Sequence, residues 1–73
     1  MAITVFLADK HGVVRDGLSL LLEAQSDISV AGQAANGRDA VRAVRHLRPD
    51  VVLIDSALPE LNGIEATVEI RQA

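Results

Sequence analysis

The sequence predicts an α/β fold in which a parallel sheet is flanked by helices. Three observations carry that prediction. Short runs of β-branched and aliphatic residues alternate with segments of helical period. The connections between them are short and polar. The third run, Val51-Val52-Leu53-Ile54, is apolar without interruption, as in a strand covered on both faces of a parallel sheet.

Ile3 to Ala8 is rich in β-branched and large apolar residues and reads as the first strand, ended by Asp9-Lys10-His11-Gly12. A helix follows from about Val13 to Ala24, with Val14, Leu18, Leu21 and Leu22 on one face. Gly17 weakens this helix by about 1 kcal/mol relative to alanine unless close packing requires it. Ser26-Asp27 makes a turn, and Ile28 and Val30 begin a second strand that ends near Ala34. Asn36 is the N-cap of a helix from about Arg38 to Leu47, whose buried stripe is Ala40, Val41, Val44 and Leu47. Arg48-Pro49-Asp50 stops it, since proline cannot continue a helix. After the third strand, Asn62 caps a last helix, with Glu65 at its third position as in a capping box. Ile64, Thr67, Val68 and Arg71 lie on one side of that helix.

Composition narrows the function classes. The 73 residues are 49% hydrophobic, so the chain is globular rather than disordered. It is shorter than the usual domain of about 100–150 residues, and a chain of this size buries only about 60–65% of its unfolded surface. One Phe and no Trp or Tyr make the core aliphatic, and the absence of Cys excludes disulfides and thiolate metal sites. The apolar runs are too short to span a membrane. MAITVFLADKH lacks the basic start and long apolar stretch of a signal peptide, so a cytoplasmic location is expected. A net charge of -3 speaks against general nucleic-acid binding. Arg38, Arg42, Arg45 and Arg48 recur at near-helical spacing and read as a solvated helix face rather than a phosphate-binding stripe.

Sites in parallel sheets lie at the carboxyl ends of the strands. Asp9 ends the first strand and Asp55 the third, so if those strands are neighbours two carboxylates meet at one edge. Two such acids favour a hard cation such as Mg²⁺, and an aspartate there can be a nucleophile toward phosphorus. His11 and His46 lack ligand spacing with each other and are assigned surface or packing roles. No G-x-G-x-x-G follows the first strand, which leaves dinucleotide binding without support.

With these residues in view, FLADKH, VAGQAANGRDAV and VVLIDSALPELNGIEA resemble, in order and spacing, a response-regulator receiver domain of the kind attached to LuxR-type helix-turn-helix transcription factors. The resemblance spans essentially the whole chain. It implies a flavodoxin-like fold with strand order 2-1-3 and no enzymatic role beyond signalling. It also implies phosphoryl transfer from a sensor histidine kinase onto Asp55. By the same resemblance Asp9, Asp55 and the backbone carbonyl of Ala57 hold Mg²⁺, and Pro59 and Gly63 shape the following loop.

Two departures modify this expectation. The family has a second acid where this chain has Lys10, and an ammonium has no lone pair for a metal. The Mg²⁺ site is therefore expected to be weakened. Lys10 either occupies the cation's place, paired with Asp9 or Asp55, or points into solvent. The chain also holds three of the family's five strand–helix units, so residues 1–73 are expected to be a partial receiver domain without its later switch residues or a DNA-binding domain. The third strand then becomes an edge, and self-association through it, or by exchange of the last helix, is expected. Two alternatives stand beside this reading. One is a phosphorylation-independent dimerisation or interaction module. The other, ranked last, is a small Mg²⁺-dependent phosphatase, whose chemistry wants an acid at the position of Ala57.

Overall fold

A computed structural model describes residues 2–72. The elements run β1 (Ile3–Ala8), α1 (Gly12–Glu23), β2 (Ile28–Ala34), α2 (Gly37–Leu47), β3 (Val51–Ile54) and α3 (Gly63–Arg71). All six expected elements are present, with boundaries within a residue or so of those expected. The sheet has the order β2-β1-β3 and every pairing is parallel. Val5 to Ala8 face Val51 to Ile54 in unbroken register. On the other side the register slips between Val5 and Phe6, where the β2 partner steps from Val30 to Gly32. Gly32 leaves room there for the Phe6 ring.

This order, with right-handed crossovers, puts α1 on one face of the sheet and α2, with α3 beside it, on the other. Helix α1 packs on β1 and β2, whereas α2 packs on β1, β2 and α3. The larger core lies on the α2 side, where Phe6, Ala8, Ala34, Ala40, Val44 and Leu58 form one buried cluster. Val41, Leu61 and Ala66 form a second between α2 and α3. Asn36 caps α2 by accepting from Asp39 N at 2.8 Å, and Asn62 caps α3 by accepting from Glu65 N at 2.9 Å. Arg48, at φ 51°, ends α2 in a left-handed residue just before Pro49.

Four packing expectations are corrected. Val51 and Leu53 are 43% and 42% exposed, so β3 is not covered on both faces; α1 lies over β1 and β2 and leaves this side of β3 bare. No residue of α1 is fully buried, and Val14 and Leu21 of its expected inner face are exposed. In α3 the inward side is Gly63, Ala66 and Ile70, because small residues let the helix approach closely; Ile64 and Val68 face outward. Leu47, expected in the α2 stripe, is 44% exposed at the helix end.

Candidate functional site

The sheet brings both candidate acids to its carboxyl edge. Asp9 N donates to Ala34 O at 3.1 Å, and Asp55 N donates to Ala8 O at 2.9 Å. Each aspartate is thus the first residue beyond its strand, with its backbone still pinned to the neighbouring strand. Because β1 and β3 are adjacent, the carboxylates converge as the spacing implied. They border a groove of about 300 Å³ lined also by Leu7, Leu18, Leu53 and Ile54.

The convergence includes a residue the sequence reading set aside. Asp9, His11 and Asp55 each offer one ligand atom, and these atoms lie within 4.8 Å of one another. Asp9 Oδ1 accepts from His11 N at 2.8 Å and lies 2.9 Å from His11 Nδ1. The backbone and ring hydrogen bonds from His11 hold the Asp9 carboxyl below its ordinary pKa, helped by the charge of Arg15 and opposed by partial desolvation. Arg15 Nη1 donates to the Asp9 carbonyl at 2.6 Å, which ties α1 to the end of β1. The signal in the sequence is the D-x-H spacing at the strand end, visible only once the turn after β1 is known to fold back.

Asp55 Oδ1 accepts from Ala57 N at 3.0 Å, which orients its carboxylate. The loop that follows is anchored on both sides. Leu58 and Leu61 are buried, Gly37 N donates to Pro59 O at 3.2 Å, and Gly63 N donates to Ser56 O at 3.0 Å. Lys10 is exposed and forms no salt bridge among the described residues, so it points into solvent and does not take the cation's place. The donor set of two carboxylates fits a divalent cation. His46, on α2, lines a separate and larger groove of about 550 Å³ with Arg38, Arg42 and Arg45, away from the acids. No helix of the described residues is long and apolar enough to cross a membrane.

A three-stranded parallel sheet in the order 2-1-3 with acids at its carboxyl edge is an arrangement of the flavodoxin-like class. Comparison with known proteins specifies it. The response regulator receiver domain family matches residues 5–73, and the chain belongs to that family. It is 43% identical over 72 residues to the response regulator protein VraR of Staphylococcus epidermidis, a match covering 99% of this chain and 34% of that protein. The VraR of Staphylococcus aureus is 40% identical with the same coverage. Among solved structures, the response regulator domain of Thermotoga maritima CheB superposes with a TM-score of 0.97 at 36% identity, over 99% of this chain and 54% of that one. A LuxR-family two-component response regulator from Aurantimonas superposes with a TM-score of 0.92 at 39% identity, over 99% of this chain and 51% of that one. The chain spans about a third of the length of the curated relatives it matches.

Proposed function

We propose that Asp55 is the phosphoacceptor of this receiver chain and that a histidine kinase is the donor. One observation supports this above the others: Asp55 stands at the carboxyl end of β3, oriented by Ala57 N–H, with Asp9 converging on it. In the transfer, an Asp55 carboxylate oxygen bonds to phosphorus as the bond from phosphorus to the donor nitrogen breaks, leaving an acyl phosphate. Asp9 and Asp55, with the Ala57 carbonyl, would hold Mg²⁺, which when bound neutralises charge on the phosphoryl oxygens. Lys10 adds a positive charge beside the pocket and no ligand, so binding is weak and phosphorylation slow. Residues 1–73 are read as the first three strand–helix units of a receiver domain, acting in the cytoplasm as part of a transcription regulator. The 54% coverage of a solved receiver domain supports that reading. Incubation with a small phosphodonor and Mg²⁺, followed by intact mass, tests the proposal. A slow single addition lost in Asp55→Asn is expected; an unchanged addition in that variant refutes the assignment.

A second reading is favoured by β3 itself. It is the sheet's edge, and Val51 and Leu53 are exposed beside it. An apolar edge strand without charge or proline pairs readily with another chain. The chain is therefore proposed to self-associate through β3 or by exchanging α3. Light scattering at micromolar concentration showing only a folded monomer refutes this.

A further inference from the structure

We infer that His11 is a third ligand in the acid pocket, and that the pocket therefore selects a divalent transition ion that accepts imidazole nitrogen, of the Zn²⁺ or Co²⁺ kind, over Mg²⁺. This rests on the reading of Asp9 and Asp55 as a cation pocket and goes beyond it. The first support is placement. Ligand atoms of Asp9, His11 and Asp55 lie within 4.8 Å of one another. Tetrahedral metal bonds of about 2.0–2.2 Å put ligand atoms about 3.3–3.6 Å apart, so side-chain shifts of at most about 1.2–1.5 Å close the site. The second is restraint. The His11 backbone N–H is bound to Asp9 Oδ1, and His11 stands at the N-cap of α1 in an extended conformation, so the ring is held against the acid. His11 Nδ1, 2.9 Å from Asp9 Oδ1, is the ring nitrogen turned toward the acid; with the ring proton on Nε2, the Nδ1 lone pair faces the pocket and can share an ion with that carboxylate.

The third support is the chemistry of the donor set. Mg²⁺ is held by oxygen ligands and their charge. Lys10 supplies neither, and its ammonium disfavours any ion held by charge alone. Imidazole nitrogen bonds well to zinc, nickel and related ions and poorly to magnesium. One imidazole and two carboxylates thus compensate a transition ion, but not Mg²⁺, for the ligand missing at position 10. His46 lies in the arginine-lined groove and serves as a control.

The test is calorimetric titration of the full 73-residue chain with ZnCl₂, CoCl₂ and MgCl₂, with far-UV circular dichroism to confirm folding. Transition ions are expected to bind at least about tenfold tighter than Mg²⁺. His11→Ala should lose about tenfold or more of that affinity while Mg²⁺ affinity changes less than about twofold, and His46→Ala should change neither. His11→Gln keeps a hydrogen-bond donor toward Asp9 and should lose affinity equally. The visible spectrum of bound Co²⁺ should change in both His11 variants. Unchanged Co²⁺ affinity and spectrum in them, with Mg²⁺ binding lost in Asp55→Asn, overturns the inference alone. Mg²⁺ binding retained in Asp55→Asn overturns the pocket reading with it.

Discussion

Gly63 opens α3 with its Cα against the backbone at the end of β3, and Gly63→Ala tests how tightly the Asp55 loop is held. A Cβ at this position would lie 2.8 Å from the Asp55 carbonyl carbon and 2.8 Å from Ser56 Cα, and closer still to the Asp55 oxygen. Real Cβ contacts essentially never fall below 3.0 Å. The obstacles are backbone atoms, so no rotamer change relieves them, and α3 must move off the Asp55–Ser56 peptide. Overpacking of this kind costs about 1–3 kcal/mol. The Gly63 N to Ser56 O hydrogen bond, 3.0 Å long, is stretched at the same time, for about 0.5–1.5 kcal/mol more. The total, about 1.5–4.5 kcal/mol, is large against the roughly 4–11 kcal/mol expected for 73 residues. Urea unfolding followed by circular dichroism should show a lower midpoint with an unchanged slope. Because the displaced carbonyl belongs to Asp55, phosphorylation at that residue should fall as well. A variant within about 0.5 kcal/mol of the wild type would refute the close-approach argument.

Gly17 is the opposite case: a Cβ there meets nothing within 4 Å. Packing does not require this glycine, and Gly17→Ala should stabilise α1 by about 0.5–1 kcal/mol in the same urea assay. Glu60 sits at φ 68°, a left-handed conformation that costs a side-chain-bearing residue about 1–2 kcal/mol. Glu60→Gly should raise the thermal midpoint by about 2–8 °C in a melting curve, after the glycine's extra unfolded freedom is subtracted. Asp50 Oδ2 accepts from Thr4 N at 2.9 Å and Thr4 Oγ1 at 3.0 Å, and these bonds lower its carboxyl pKa from 3.8. Its contribution is therefore complete above pH 3.8 and is lost as the pH falls through the lower folded value. Asp50→Asn should flatten the fall in urea midpoint within that acid window and leave the slope of the curve at neutral pH unchanged. Lys10→Asp should raise Mg²⁺ affinity about tenfold or more by restoring an oxygen ligand, read by calorimetry; no gain would show that Lys10 is not what weakens the site.

Element order, boundaries and caps were legible because their causes are local. Helical period, the uninterrupted run before Asp55, and the Asn36 and Asn62 caps act over a few residues, and the structure reproduces them. The convergence of Asp9 and Asp55 was legible only conditionally, since it needed β1 and β3 to be neighbours. His11 was missed because its approach to Asp55 depends on the turn after β1 and on that same pairing.

By itself, then, the sequence determined the alternating strands and helices, the sheet class and the acids at its carboxyl edge. Tertiary structure decided which side of each helix and strand is covered. Ile64, Thr67, Val68 and Arg71 share one side of α3 by spacing, yet Gly63 and Ala66 face inward because only small residues permit contact with the Asp55 loop. Val51 and Leu53 read as core, yet they are exposed because α1 stops over β1 and β2. The Thr4–Asp50 staple joins residues 46 apart. Periodicity reports which residues share a face, whereas burial depends on what lies opposite that face, and only the assembled fold supplies it.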